Sequence, residues 1–172
     1  MFKKFKHQNW GTAVPQNICE YLMTPTSIHL RIVYFLFQKI FRINSDQTFM
    51  VHFTSIVSGN VELGDNVVRY VAGSPGCYIQ GINGVFIGSD TMIAPGVKII
   101  SANHEIGEHF KHIDSNPIMI GKNCWIASNS VILSGVTLGD NVTVGAGCVV
   151  TKSFPSNCII GGVPAKVIKY KN

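Results

Sequence analysis

Aliphatic residues recur at every sixth position over a long stretch of this chain. The residue after each of them is often glycine or alanine, and the fourth residue on is mostly small or β-branched. Neither the 3.6-residue period of a helix nor the alternation of a half-buried strand gives this pattern. A fixed six-residue repeat predicts a parallel β-helix, in which each repeat supplies one short strand and one tight corner. The repeating residues are Ile120, Ile126, Ile132, Leu138, Val144 and Val150, with a shorter run at Ile87, Ile93 and Ile99.

The composition of the 172-residue chain fits one folded domain with a substantial core. Hydrophobic residues make up 46% and charged residues 13% of the sequence, which argues against disorder. The five cysteines form no CxxC pair and are predicted to be packing residues in a reducing compartment. The chain start is rich in lysine and has no apolar signal-peptide stretch, so a cytoplasmic location is predicted.

The first fifty residues contain no six-residue repeats and are predicted to form a separate, partly helical segment. A short helix could form over 15–23, and Ser27 is a plausible N-cap for a second helix over 28–42 that ends near Asn44. The second helix is apolar and also basic. It would cover the end or side of the β-helix; the alternative is a helix that rests on a membrane surface. Its basic residues are Arg31, Lys39 and Arg42.

Residues 51–172 are predicted to form the β-helix domain, with a short extension at its end. The repeats are interrupted once, by a polar stretch over 103–116 that contains three histidines. Repeat proteins accommodate an insertion at a corner because a loop there leaves the stacked core undisturbed. An insert rich in ionisable groups within a monotonous repeat is therefore predicted to carry the functional site.

Six short motifs stand in a fixed order: residues 93–97 (IAPGV), 101–104 (SANH), 120–128 (IGKNCWIAS), 145–147 (GAG), 150–152 (VTK) and 162–166 (GVPAK). In order and spacing this set resembles the hexapeptide-repeat acyltransferases, especially the sugar O-acetyltransferases of galactoside and maltose type. The resemblance implies an all-β fold, a left-handed parallel β-helix, with the helical segment in front and the inserted loop near 103–116. It also implies acetyl-CoA as co-substrate, no metal, and a homotrimer with active sites at the subunit interfaces.

The resemblance assigns the role of general base to His104, at the mouth of the insert. A sugar hydroxyl is a poor nucleophile at neutral pH, whereas an imidazole titrates near neutrality and can accept the hydroxyl proton during attack. Assistance of this kind contributes about 10²–10⁴ in rate. Glu105 or Glu108 could orient the ring through its second nitrogen, and the sequence does not distinguish them. His109 and His112 are predicted to be solvent-facing loop residues or minor substrate contacts.

A zinc site is the alternative interpretation of these histidines. The γ-class carbonic anhydrases share the fold and bind zinc through a histidine pair with the spacing of His104 and His109, together with a third histidine about two coils upstream. Here the upstream histidines are His7, His29 and His52, all outside the regular repeats. The sequence therefore favours an enzyme without a metal.

Five further residues match family positions along the acetyl-CoA donor. Trp125 would lie beside the acetyl-CoA arm, although simple burial at a subunit interface would also explain a tryptophan there. Ser128 would lie at the thioester end and could polarise its carbonyl. Ala146 and the pair Thr151 and Lys152 would meet the pantetheine and adenine portions.

Two lysines near the end of the chain match basic residues that lie near the nucleotide phosphates. Lys166 and Lys169 would each offer a point charge to a phosphate, and the alternative is solvated charge in the tail. Ser74 aligns, without gaps, with a family asparagine near the active site and is the one candidate contact for the acceptor.

The first fifty residues show no match to the acceptor-binding region of the galactoside and maltose enzymes. Their apolar and basic character looks more like acetyltransferases of surface-polysaccharide or lipopolysaccharide synthesis. The predicted acceptor is therefore a saccharide or lipid-linked saccharide, and residues 28–42 could hold the protein peripherally at the inner face of the membrane. An antibiotic or amino-sugar acceptor, or a metal-binding β-helix, stays open as an alternative. No nucleic-acid partner is predicted.

Overall fold

The computed structural model describes residues 28–171 of the chain. Its first element is a helix that begins as α1 (Ile28–Tyr34) and continues as a π-helical turn (Phe35–Ile40). The chain has left the helix at Asn44, whose φ is 56°. The predicted helical segment is thus confirmed over these residues. Outside the described residues lie the predicted helix over 15–23 and the predicted cap Ser27.

Short strands make up most of the remaining described chain, with a second helix, α2 (Val68–Gly73), after the first of them. Two pairings are antiparallel, β5 with β6 and β13 with β14, and the other described pairings are parallel. The strands are β1 (Ile56–Leu63), β2 (Tyr78–Ile87), β3 (Met92–Ile93), β4 (Lys98–Ile100), β5 (Asn103–Glu105), β6 (Glu108–Ile113), β7 (Ile118–Ile120), β8 (Trp125–Ile126), β9 (Val131–Ile132), β10 (Thr137–Leu138), β11 (Thr143–Val144), β12 (Val149–Val150), β13 (Cys158–Gly161) and β14 (Lys166–Tyr170).

Parallel pairing joins residues that lie three repeats apart. Thr143 pairs with Trp125 and Val149 with Val131, eighteen residues earlier in both cases. One coil therefore consists of three six-residue repeats, and the stacked coils form a prism with three faces. The first face contains β4, β9, β12 and the start of β2; the second contains β7, β10 and the end of β2; the third contains β3, β8, β11 and β13.

The aliphatic residue of each repeat points into the prism, as predicted. Ile99, Ile126, Ile132, Val144 and Val150 have no exposed surface. Full burial of such a side chain stabilises the fold by about 1.5–3 kcal/mol. Four cysteines share this interior as free thiols, and desolvation by burial raises the pKa of each, in agreement with a packing role. They are Cys77, Cys124, Cys148 and Cys158.

The corners of the prism are made by residues with a left-handed backbone conformation. The φ angles of Asn123, Asn129, Gly135, Asn141 and Gly147, again six residues apart, lie between 53° and 73°. Glycine lacks a Cβ and asparagine tolerates this conformation better than most residues, so these two types fill the positions. The left-handed residue comes three positions after the aliphatic residue of its repeat, as Asn129 does after Ile126.

The N-terminal helix turns polar side chains toward the rest of the protein. The buried Tyr34 hydroxyl donates to the Ala72 carbonyl, and desolvation raises the pKa of Tyr34. The buried Gln38 amide donates to the Phe49 carbonyl over 3.1 Å, and its oxygen accepts from the Val51 N–H over 3.1 Å. The helix therefore packs through hydrogen-bonded groups, and many of its apolar side chains are exposed. These are Ile28, Leu30, Ile32, Phe35, Leu36 and Ile40.

Candidate active site

The insert forms a β-hairpin at the corner where the chain passes from the first face to the second. Strands β5 and β6 pair antiparallel, and Gly107 takes a φ of 95° in the turn between them. In this pairing His104 lies directly opposite His112, and the centroids of their rings are 4.6 Å apart. Both histidines are exposed. The predicted inserted loop is therefore a β-hairpin that presents an imidazole pair to solvent.

The carboxylate nearest to His104 in sequence is engaged elsewhere. Glu105 forms an ion pair with Lys111, with 2.6 Å between Oε2 and Nζ. Among the described side chains, none forms a hydrogen bond with the His104 ring, whose neighbour is the His112 ring. The sequence left open whether Glu105 or Glu108 orients the His104 ring. The ion pair of Glu105 with Lys111 gives no support to either assignment.

The base of the hairpin is tied to three coils by a polar cluster that the sequence analysis missed. We call this cluster the hairpin neck; it consists of Asn83, Ser101, Ser115 and Ser134. The Asn83 side-chain nitrogen and the Ser134 hydroxyl donate to the Ser101 carbonyl over 2.8 Å and 2.7 Å. Ser101 belongs to a recognised motif, whereas Asn83 and Ser134 carry no periodic signal, because their partners are 18 and 33 residues away in the chain.

Trp125, Ser128 and Ala146 lie around a different corner. Trp125 is 48% exposed on β8, where it stacks between Met92 and Thr143 of the neighbouring coils. Ser128 and Ala146 follow on adjacent coils, since the N–H of the residue after Ala146 donates to the Ser128 carbonyl over 2.9 Å. We call this edge, where the third face meets the first, the Ser128 corner. Ala146 and Gly147 are exposed at this edge, and Ser128 is half-buried.

Thr151 and Lys152 lie at the corner that also carries the hairpin. Val150 pairs with Ile132, so Thr151 lies one coil after Leu133. Leu133 precedes Ser134 of the hairpin neck, so Thr151 is one coil away from the neck. Both side chains are exposed, and the Lys152 ammonium is 5.8 Å from the centroid of the Phe154 ring. These two residues and His104 therefore share one edge of the prism.

Lys166 and Lys169 lie on β14, the strand that closes the third face. Lys169 pairs with Ile159 and Lys166 with Gly161 of β13, and both lysine side chains are exposed. They therefore lie on the same side of the prism as Trp125. A nearby lysine, Lys171, is held differently, because its ammonium donates to the Asn141 carbonyl over 2.8 Å.

The predicted site residues thus fall into two groups within one chain. His104, Thr151 and Lys152 lie at the insert corner, and the first face separates them from the residues of the Ser128 corner. A single chain does not bring the two groups into one cleft.

The remaining predictions concern Ser74 and the upstream histidines. Ser74 is buried, and its hydroxyl donates to the Ile93 carbonyl over 2.7 Å, so its position gives no support to contact with an acceptor. His52 stacks on Phe53 with 4.6 Å between centroids, and partial burial lowers its pKa. Among the described side chains, no group of three or more from His, Cys, Asp or Glu is arranged to hold a metal ion.

Comparison with known proteins identifies the class. The family described as bacterial transferase hexapeptide (six repeats) matches residues 117–152. The chain is 32% identical over 138 residues to SACOL2570 of Staphylococcus aureus (strain COL), provisionally named an acetyltransferase; the match covers 78% of this chain and 67% of that protein. A galactoside acetyltransferase solved in complex with coenzyme A superimposes with a TM-score of 0.53 at 28% identity, over 88% of this chain and 75% of the other. The fold is a left-handed β-helix of hexapeptide repeats, as predicted.

The chain belongs to the hexapeptide-repeat acyltransferase family. It is 43% identical over 91 residues to galactoside O-acetyltransferase of Escherichia coli (strain K12), which is 51% of this chain and 45% of that protein. It is 35% identical over 127 residues to WbbJ of the same organism, provisionally named a lipopolysaccharide biosynthesis O-acetyl transferase, which is 67% of this chain and 60% of WbbJ. The chain therefore spans about half of the first relative's length and three fifths of the second's.

Proposed function

We propose that this protein is an acetyl-CoA-dependent O-acetyltransferase that acts on a sugar hydroxyl, with His104 as the general base. The observation that carries the proposal is the exposed His104 imidazole on a hairpin that projects from a corner of the β-helix. Family membership supports the reaction type, and the galactoside and WbbJ relatives support a sugar hydroxyl as acceptor.

In this mechanism one nitrogen of the neutral His104 ring accepts the proton of the acceptor hydroxyl. The hydroxyl oxygen attacks the thioester carbonyl carbon, the carbon–sulfur bond breaks, and His104 returns the proton to the leaving thiolate. The products are an acetyl ester and the free thiol, so no oxidant or metal is required. Ser128 would donate a hydrogen bond to the carbonyl oxygen as negative charge develops on it.

The exposed residues outside the hairpin fit a long, phosphorylated thiol. Ala146 and Gly147 are exposed small residues at the Ser128 corner, so a narrow pantetheine arm could lie over them and along Trp125. Lys166 and Lys169 are exposed ammonium groups on the same side of the prism, and a point charge suits a phosphate. We propose that the donor binds along this edge and reaches Thr151 and Lys152 of a neighbouring copy.

The division of these residues between two corners supports active sites shared between copies. A cyclic homotrimer would place the insert corner of one copy against the Ser128 corner of the next at three equivalent interfaces. Holding donor and acceptor together in one cleft converts the transfer into an effectively intramolecular step. We propose this trimer as the active form.

An acceptor panel tests the reaction and the acceptor class together. Purified protein is incubated with acetyl-CoA and neutral sugars, oligosaccharides, amino sugars or hydroxyl-bearing antibiotics, and free thiol release is measured. We expect release with saccharide hydroxyls, with the acetyl ester detected by mass spectrometry. Thiol release with amino sugars or antibiotics alone would contradict the proposed acceptor class and identify one of these compounds as the acceptor. Absence of coenzyme A binding would instead indicate a β-helix that is not an enzyme.

We also propose that α1 and the π-helical turn attach the protein to an anionic membrane surface, with polysaccharide synthesis at the inner face of the membrane as the setting. The supporting observation is the apolar surface of this segment, combined with Arg31, Lys39 and Arg42 and no acidic residue. Basic residues near an anionic surface contribute about 1 kcal/mol each to binding. Among residues 28–171, no helix has the length and apolar character needed to cross a bilayer.

Flotation with vesicles tests this attachment. The triple variant Ile32→Ser, Phe35→Ser and Ile40→Ser removes exposed apolar side chains without touching the buried Tyr34 or Gln38. We expect the unaltered protein to float with vesicles that contain phosphatidylglycerol, and the triple variant to remain in solution. Ile168→Ser, which alters an exposed isoleucine on β14 outside the helix, is the control and should float. Equal flotation of the triple variant and the control, or none by the unaltered protein, would contradict the proposal.

A further inference from the structure

The hairpin neck joins both ends of the insert to the coils on either side of it. Asn83 of the preceding coil donates from its side-chain nitrogen to the Ser101 carbonyl at 2.8 Å and to the Ser115 hydroxyl at 3.1 Å. The same nitrogen lies 3.3 Å from the carbonyl oxygen of Ile113, the last residue of β6. The Asn83 amide therefore contacts Ser101, just before the hairpin, and both Ile113 and Ser115, where the hairpin ends.

The Ser101 carbonyl is the centre of the neck. It accepts hydrogen bonds from the Asn83 amide at 2.8 Å and the Ser134 hydroxyl at 2.7 Å, and the Ser115 hydroxyl oxygen lies 3.2 Å from it. The Asn83 N–H also donates to the Ser101 hydroxyl at 3.0 Å. Because Ser101 is fully buried and lies three residues before His104, its position determines where β5 leaves the prism.

The far end of the hairpin receives little support from the rest of the chain. Ile106 and Phe110 have side chains that are fully exposed, and the ion pair between Glu105 and Lys111 stays within the hairpin. An isolated two-stranded hairpin is marginally stable in water. The orientation of the His104 ring relative to the prism must therefore be set mainly at the neck.

We propose that Asn83 is a positioning residue for His104, which it holds at the correct place by closing the hairpin neck. The inference rests on the proposed role of His104 as general base. Asn83 does not touch the reacting atoms; it acts through the hairpin. A displacement of about 1 Å in a catalytic group can cost a factor of about 10² in rate, so loss of this amide should be visible in turnover.

The first test compares Asn83→Ala with Asn60→Ala, a matched change of an exposed asparagine on β1 outside the neck. We expect Asn83→Ala to lower kcat by about ten- to a hundredfold with the KM for acetyl-CoA nearly unchanged. Asn60→Ala should retain the kcat of the unaltered protein. An unchanged kcat for Asn83→Ala would overturn the proposal, as would an equal loss in the control. Ser134→Ala, which removes a single donor, replaces Asn83→Ala if that variant does not fold.

A double-mutant cycle separates positioning from general damage. If Asn83 acts through His104, then Asn83→Ala should have no further effect on the residual rate of His104→Ala. A loss of the same size in both backgrounds would show a structural effect that does not pass through His104 and would overturn the proposal.

Amide hydrogen exchange gives a readout that is independent of activity. In Asn83→Ala, the amides of residues 103–113 should exchange about fivefold faster or more, while those of β9 and β12 keep their protection. If His104→Ala is fully active, the proposed base role fails, and the exchange result still decides whether Asn83 closes the neck. Unchanged exchange together with an inactive His104→Ala would overturn the positioning role alone.

Discussion

Replacing His104 with alanine should lower kcat for acetyl transfer by about 10²–10⁴-fold, the usual contribution of a general base. The KM for acetyl-CoA should change little, because His104 is not among the residues proposed to bind the donor. A loss confined to kcat indicates an interaction made in the transition state. Steady-state rates of thiol release at saturating acceptor measure the effect, and titration with coenzyme A checks that the donor still binds.

His112→Ala is the matched control for this experiment. His112 lies opposite His104 in the same hairpin, is also exposed, and contacts it through a ring pair with 4.6 Å between centroids. If His104 is the base, removal of His112 should cost at least about tenfold less in kcat than removal of His104. Near-normal turnover of His104→Ala would refute the base assignment. A larger loss in His112→Ala would transfer the role to His112.

The six-residue period was sufficient to predict the strands, the coil and the core. Ile126, Ile132 and Val144 are all fully buried, because a residue that recurs at the period of a solenoid always reaches the same side of it. The left-handed corners were missed although their signal is present. Asparagine or glycine recurs three residues after the aliphatic position, as at Asn129 and Gly135, and these are the residue types that tolerate positive φ.

The break in the repeat predicted where the hairpin would lie but not its form. The pairing of His104 with His112 depends on an irregular register that places Glu105 opposite Glu108, and no local pattern encodes it. The neck depends on contacts such as Asn83 to Ser101 and Ser134 to Ser101, which join separate coils. Such contacts follow from the stacking of the coils and cannot be read from one stretch of sequence.

The N-terminal helix shows the same limit. A helix in this segment was predictable from composition and turn residues, although it ends at Ile40 and the prediction extended to Arg42. Its orientation was not predictable. An amphipathic pattern would bury the apolar side chains. Here Tyr34 and Gln38 can be buried because their polar groups donate hydrogen bonds to the carbonyls of Ala72 and Phe49. The apolar side chains of Ile32 and Phe35 are exposed instead.

Two inactive variants should restore activity when they are mixed within one oligomer. His104→Ala removes the proposed base from the insert corner, and Ala146→Trp places a bulky side chain at the exposed position 146 of the Ser128 corner, which should exclude the donor. Each variant alone should be nearly inactive. If every active site uses His104 of one copy and the Ser128 corner of the next, random mixing in equal amounts gives about one quarter of the sites both intact halves.

Co-expression with two different affinity tags, followed by purification through both, isolates the mixed oligomers for the thiol-release assay. Their activity per site should reach roughly a third of that of the unaltered protein, because every mixed trimer has one interface in three with both halves intact, whichever chain is in excess. The control mixes the double variant, which carries both His104→Ala and Ala146→Trp on one chain, with the single variant His104→Ala. It should remain inactive, because no chain in that mixture supplies the imidazole. Mixed oligomers that stay inactive would show that the two corners do not meet between copies. Because His104 and Trp125 lie on different sides of one chain, the donor would then have to run around a single prism to reach both.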